Sequence, residues 1–308
     1  MQAKQIADEL RHRGYTVVRD FLSEADIPDG LLKFLAGAEK FHDGVIMDFP
    51  AEGMLHLKAR IESTIPEVAD LMGLSIARDR FGYCAIRIKE SHGAPTLRMP
   101  FDKNRDPKIA PGGALNWHLD HFSYFLHEDH KNFLICYVPV FKPESSLANV
   151  AIVGDDVVRE LDPELHRRIQ GRGALRFRCV EADTLEWFKL RFPGEDIVIG
   201  DWYAIEDMHD ETPGWKIKVD LEKHKVVPEL NVRDLLIMRA DVIHRTNDAG
   251  CDRISVRCDA IPANGTRFGT LTGLMGLTLR YPFMSKKRQY NIRIWLKKEW
   301  SKRFKGSA

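Results

Sequence analysis

Asn116-Trp117-His118-Leu119-Asp120 is answered far downstream by Asp241-Val242-Ile243-His244 and then by Arg253-Ile254-Ser255-Val256-Arg257. Strand residues i and i+2 point to one face. A His-x-Asp strand therefore offers His118 and Asp120 side by side, while Leu119 and His121 face the other way. Only a fold that brings a distant strand alongside adds the second imidazole, from His244. Two imidazoles and a carboxylate on one side of a metal leave coordination positions open. Arg253, nine residues past His244, adds a permanent cation suited to a carboxylate. Arg253, Ser255 and Arg257 share a face at period two. On the inward face of an apolar strand they are costly unless they meet an anion; the plainer alternative is an edge strand with its arginines in solvent.

The remaining pattern is that of many short strands with helices outside them. Residues 2–12 form an amphipathic helix with Ile6 and Leu10 on one face, stopped by Gly14, and Tyr15-Thr16-Val17-Val18 follows as a strand. Ser23 opens another helix as N-cap ahead of Glu24 and Asp26. Residues 43–74 read as mainly helical, with Leu55, Leu57, Ile61 and Val68 toward the core. Strands are expected at 83–89, 133–140, 197–199, 215–221, 235–239, 243–246 and 254–261, and 147–153 continue the sheet. Residues 155–192 read as helical and charged. Short strands broken by turn signals favour a sandwich or barrel over alternating βαβ units. Residues 91–113 hold seven Gly or Pro and end at the His-x-Asp strand, which suits a lid loop.

The 308 residues, 44% apolar and 30% charged with net charge +1, are ample for a sizeable core and point to no nucleic-acid partner. Five cysteines (Cys84, Cys136, Cys179, Cys251, Cys258) without a C-x-x-C pair read as free thiols in a reduced, cytoplasmic chain. The first residues are polar, and no run approaches the ~18 apolar residues of a membrane span. Residues 281–308 carry +8 against −7 for the rest. This basic extension, with Leu296, Trp300 and Phe304 at i+4 spacing, is read as packing on the domain or on a second subunit. Peripheral membrane contact through 286–305 and a homo-oligomer are the open alternatives.

A metal site with open positions, made of two histidines and one carboxylate, is the arrangement of non-heme Fe(II) oxygenases. The chain resembles the Fe(II)/2-oxoglutarate-dependent dioxygenases, nearest to their phytanoyl-CoA dioxygenase-like branch. The matching pieces are Gly14-Tyr15-Thr16-Val17-Val18 with Phe21-Leu22-Ser23-Glu24, Trp117-His118-Leu119-Asp120, Asp234-Leu235-Leu236-Ile237-Met238 leading to His244, and Arg253-x-Ser255. Two features depart from that branch. Ile152-Val153-Gly154-Asp155-Asp156 stands where many members carry a Pro-Gly-Ser-His turn, and residues 155–230 form an insertion between Asp120 and His244.

The resemblance implies a mainly β fold with flanking helices around a double-stranded β-helix (jelly-roll, cupin-like) core, in one domain over residues 1–280. It implies that His118, Asp120 and His244 hold Fe(II), and that Arg253 and Ser255 bind the cosubstrate 2-oxoglutarate. Arg257 is expected at the cosubstrate or at an acidic group of the substrate, nearer the pocket mouth than Arg253. Tyr137 and Thr246 are further candidates for the cosubstrate. O₂ is the other reactant, and hydroxylation of an unactivated C–H bond is the expected outcome. Arg87, Arg98 and Arg257 favour a small acidic substrate such as an amino acid, an acidic sugar or a natural-product intermediate. The alternatives are a macromolecule- or lipid-modifying oxygenase docked through the basic tail, and a non-catalytic binding barrel. His121, His127, Asp129 and His130 are read as surface or pocket-rim residues rather than a zinc site, which would usually include cysteine.

Overall fold

A computed structural model describes residues 2–27, 45–46, 55–88, 117–120, 132–146, 149–173, 175–206, 214–247 and 253–263. The expected lid at 91–113, the histidines at 121, 127 and 130, and the basic extension lie outside the described residues, as does Arg98. Among those described, no helix is long and apolar enough to cross a membrane.

Helix α1 (Ala3–Arg13) buries Ile6, Ala7 and Leu10 and ends at Gly14, whose φ is 78° and whose N–H donates to Leu10 O. The chain enters β1 (Tyr15–Val18) at once and pairs with β9 (Leu235–Arg239). A single 3-10 turn, Glu24–Asp26, stands where a longer helix was expected to open, with Ser23 and Asp26 forming the capping box. Helix α2 (Leu55–Met72) places Leu57, Ile61, Ile65, Val68 and Ala69 in the core at helical spacing. Val45–Ile46 is not helical but a short strand, β2, paired with Ile86 and Ala85 of β3 (Ile76–Ile88).

The larger sheet is antiparallel in the order β1-β9-β4-β11-β3-β2, with β4 at Leu134–Phe141 and β11 at Arg253–Pro262. Its two faces divide the core by the period-two rule. Leu134, Cys136, Val138, Leu235, Ile237, Ile254, Val256 and Cys258 share a cluster with the buried residues of α1 and α2. Tyr15, Ile135, Tyr137, Leu236 and Met238 form another with Val150, Ile152 and Val242 of the second layer. This interior between the layers is where the site lies.

The second layer comprises β5 (Val150–Val153) paired with β10 (Ile243–Thr246), and β6 (Leu175–Cys179), β7 (Trp202–Glu206) and β8 (Trp215–Ile217) in sequence. Trp117–Leu119 joins the two pieces. His118 bonds to His244 through both N–H and C=O, while Leu119 N donates to Leu175 O and Phe177 N to Trp117 O. Helices α3 (Asp155–Leu161) and α4 (Pro163–Ile169) supply Val158, Leu165 and Ile169 to the cluster behind this layer, and α5 (Leu185–Arg191) covers a satellite cluster around Tyr203. Two facing antiparallel sheets with helices outside them make the mainly β, double-stranded β-helix architecture.

Three further expectations are corrected. Residues 155–192 are not helical throughout, because β6 interrupts them with Leu175, Arg176, Phe177 and Arg178, an alternation that buries Leu175 and Phe177 behind the sheet. Ile197–Ile199 is irregular, with Val198 and Ile199 exposed; the strand lies a few residues on, at β7. The His-x-Asp segment is a single bridge position rather than an extended strand. Cys136, Cys179 and Cys258 are free thiols.

Gly14 is the point where α1 meets the layer that carries His244. A Cβ there would lie 2.4 Å from Val242 Cγ2, and the left-handed φ disfavours any L side chain. Gly14→Ala should therefore lower stability by about 1–2 kcal/mol through the backbone, with roughly 1–3 kcal/mol added by overpacking. Urea unfolding of the two chains measures the difference; equal midpoints with equal slopes would contradict this packing.

Candidate metal centre

An antiparallel pair that exchanges both backbone hydrogen bonds projects its two side chains to the same face. His118 and His244 are such a pair: His118 N donates to His244 O at 2.9 Å and His244 N to His118 O at 3.1 Å. Their ring centroids are 4.4 Å apart. Leu119, between the ligands, turns into the cluster behind the sheet, so Asp120 returns to the histidine face. One ligand atom from each of His118, Asp120 and His244 falls within 4.8 Å of the others.

The hydrogen bonds assign what each atom can do. His244 Nδ1 is 2.9 Å from Val242 O. A carbonyl only accepts, so Nδ1 carries the hydrogen and Nε2 presents its lone pair. That lone pair faces Asp120 Oδ2 at 3.3 Å, and Oδ2 is buried without a hydrogen-bond partner. His118 Nε2 lies 3.8 Å from Asp120 Oδ1. Two acceptors this close in a buried place call for a cation between them, which is the fit expected of a divalent metal held by nitrogen and oxygen donors.

Burial alone would raise the Asp120 carboxyl, but the Arg257 guanidinium beside it holds it well below the usual carboxylate range. Arg257 Nη1 donates to Asp120 Oδ1 at 3.0 Å, and its Nε donates to Asp259 Oδ1 at 2.8 Å. Burial pushes Asp259 up to about 6, opposed by Arg257 and reinforced by the Asp120 charge. Arg257 thus reaches the triad itself.

Arg253 and Ser255 are buried on the same strand face. Ser255 Oγ donates to Tyr137 Oη at 2.6 Å, and the Arg253 guanidinium lies over the Tyr137 ring, 5.7 Å from its centroid. Tyr137 therefore joins this cluster, whereas Thr246 pairs with Val150 on β5. Arg87 takes the register position opposite Ile254. Asp241, the nearest other carboxylate to His244 in sequence, is committed elsewhere: Arg239 clamps both its oxygens at 2.9 and 3.2 Å, and Gly171 N donates to it at 2.8 Å.

Sequence reasoning passed over three residues. Arg176 is the partner of His118 across to β6, so it lies on the histidine face; the Leu-Arg-Phe-Arg alternation is the signal that could have shown it. Asp259 continues the Arg253-Ser255-Arg257 period by one step. Glu222 accepts Trp117 Nε1 at 2.7 Å, and no local pattern marks it.

No protein-family model and no curated protein matches the chain. Among solved structures, the non-heme alpha ketoglutarate dependent epimerase SnoN from nogalamycin biosynthesis is similar at 14% identity and a TM-score of 0.42, over 88% of this chain and 87% of its own. The non-heme alpha ketoglutarate dependent carbocyclase SnoK from nogalamycin biosynthesis is 12% identical with a TM-score of 0.41, over 89% and 92% of the two chains. EctD from S. alaskensis, solved with 2-oxoglutarate and 5-hydroxyectoine, is 10% identical with a TM-score of 0.45, over 87% and 82%. Likenesses at these identities and TM-scores carry no argument, and function is read from this chain's own side chains. The mainly antiparallel β architecture and the His118, Asp120 and His244 triad are those that the resemblance to the Fe(II)/2-oxoglutarate-dependent dioxygenases implied.

Proposed function

We propose that this chain is an Fe(II)- and 2-oxoglutarate-dependent oxygenase that oxidises a C–H bond of a small acidic molecule. The observation that carries the reading is the buried Asp120 Oδ2, with no hydrogen-bond partner, facing the unprotonated Nε2 of His244. His118, Asp120 and His244 would hold the iron. When bound, iron, 2-oxoglutarate and O₂ supply the oxidising chemistry, which the protein directs rather than performs.

The chain's own contributions are positional. Val242 O fixes the His244 tautomer, so that Nε2 faces the site. Arg257 engages Oδ1 of Asp120 and leaves Oδ2 for the metal. Arg253, Ser255 and Tyr137 gather one buried cation and two hydroxyls, a match for a carboxylate of 2-oxoglutarate. Arg176, on the histidine face, favours an anionic group on the primary substrate, and hydroxylation is the simplest outcome for an unactivated C–H bond.

Succinate release from 2-oxoglutarate by anaerobically reconstituted Fe(II) protein, on admission of O₂ and across a panel of amino acids, acidic sugars and neutral analogues, tests this reading. Turnover should depend on Fe(II), and acidic compounds should stimulate it most. His118→Ala, His244→Ala and Asp120→Ala should each abolish it, since an open facial site tolerates no lost ligand. Full activity in any one of them would refute its assignment.

Arg253→Ala should raise the 2-oxoglutarate KM. Loss of a buried, charge-assisted partner costs about 2–5 kcal/mol, equivalent to roughly 30-fold to several thousand-fold in affinity. An unchanged KM would place the cosubstrate elsewhere.

A further inference from the structure

If His118 and His244 hold the metal, its site depends on one strand register. Trp117–Leu119 is held beside β10 at the single position His118↔His244. A slip by one residue reverses which face a strand's side chains occupy. It would bring Trp117 or Leu119 to the metal and send His118 into the cluster behind the sheet. Two backbone hydrogen bonds to His244, and two to β6 on the other side (Leu119 N to Leu175 O, Phe177 N to Trp117 O), hold a segment with little regular structure of its own.

The opposite face of the sheet carries a further restraint. In the register His118↔His244, the residue before one histidine lies opposite the residue after the other, so Trp117 faces Arg245. The Arg245 guanidinium stacks over the Trp117 ring, 5.1 Å from its centroid. One carboxylate ties the two together. Glu222 Oε1 accepts Trp117 Nε1 at 2.7 Å, and Oε2 accepts Arg245 Nη2 at 3.1 Å.

Glu222 is itself held in place. Asp220 Oδ1 accepts the N–H groups of Glu222 and Lys223 at 3.0 and 3.1 Å. Val226 exchanges both backbone hydrogen bonds with Ile152 at 2.8 Å, and Ile152 is the residue paired with His244 on its other side. Lys225 Nζ adds a donor to Oε2 at 2.7 Å. Burial would raise the Glu222 carboxyl, but Lys225, Trp117 and Arg245 outweigh it and bring it down to about 2.

We propose that Glu222 is a positioning residue that locks the register of the two histidines from the back of the sheet, by joining the neighbour of one to the neighbour of the other. The proposal rests on the assignment of His118 and His244 as metal ligands. Glu222 stands at the surface away from the metal, and its two oxygens reach both Trp117 and Arg245 only when those side chains lie side by side. The part of the chain between Asp120 and His244 thereby gains a structural role, since its turn at residues 220–225 delivers the clasp.

The test is metal binding by the full chain, with Fe(II) affinity measured anaerobically and Co(II) as a spectroscopic stand-in. Glu222→Ala should weaken Fe(II) binding roughly 10-fold, the lower end of what is lost when groups supporting metal ligands are removed, and should alter the Co(II) d–d spectrum. Trp117→Phe, which keeps an aromatic ring but loses the pyrrole half of the indole with its N–H, should change both in the same direction. Glu222→Gln should recover part of the loss, because it still accepts from Trp117. Thermal unfolding of the apo proteins separates a packing effect from a positional one. Wild-type affinity and spectrum in Glu222→Ala, whatever its Tm, would overturn the proposal. Should Glu222→Ala fail to fold, wild-type binding by both Trp117→Phe and Glu222→Gln would overturn it equally. His244→Ala is the control: if it binds Co(II) like the wild type, the ligand assignment falls and the clasp with it. If it loses the metal while the Glu222 variants do not, only the clasp is wrong.

Discussion

The reciprocal backbone hydrogen bonds between His118 and His244 organise this protein. They are ordinary in strength, each worth about 1 kcal/mol net, and unusual in how much they position. They join the pair β5 and β10 to the trio β6, β7 and β8 through a segment one bridge long. The same two bonds bring both imidazoles to the interior face, with centroids 4.4 Å apart. Sheet continuity and ligand geometry are consequences of one contact, which is why two residues more than a hundred positions apart in sequence can act as a unit.

Around that contact the polar groups are buried in an order suited to a cation. Asp120 takes Arg257 on one oxygen and turns the other toward His244. Arg257 is shared with Asp259, so two carboxylates, one from each layer, meet one guanidinium. Burying charges in this way is seldom a net gain in stability over apolar packing. Its retention in a sheet otherwise filled with Leu, Ile and Val is better explained by what the charges hold in place. The Asp259 carboxyl is raised first by its burial, and the Asp120 charge adds to that.

Much of this was legible in the sequence, for reasons that differ from element to element. Period two identified Arg253, Ser255 and Arg257 as one face, and the structure brings Ser255 to Tyr137 and Arg257 to Asp120. Apolar runs such as Leu134–Val140 and Leu235–Met238 read correctly because both faces of those strands are covered. The errors arose where charge was taken for helical exposure. In β6, arginines alternate with Leu175 and Phe177, a strand whose other face is polar, and Arg176 was lost from view with it. Ile197–Ile199 looked like a strand because β-branched residues favour one, but the pairing of β6 begins only beyond them, at Trp202. Val45–Ile46 is set by its pairing with β3, a partner no local pattern can show. Glu222 was invisible for the same reason, since its meaning lies wholly in two side chains that only the fold brings to it.

The two clusters of the site belong to different layers. His118, Asp120 and His244 sit in the second sheet, whereas Arg253, Ser255, Arg257 and Tyr137 sit in the larger one, on β11 and β4. Backbone pairing fixes distances within a sheet but not between sheets packed face to face, where side chains alone set the separation. The Arg257–Asp120 contact at 3.0 Å is a direct polar tie across that interior. It couples the strand bearing the candidate cosubstrate residues to the one carboxylate of the triad, and Asp259 restrains the arginine from its own strand. A metal gripped by one layer and an anion gripped by the other can meet in a defined geometry only if the layers are held at a fixed spacing. Arg257 adds a polar hold to the apolar side chains packed between the layers.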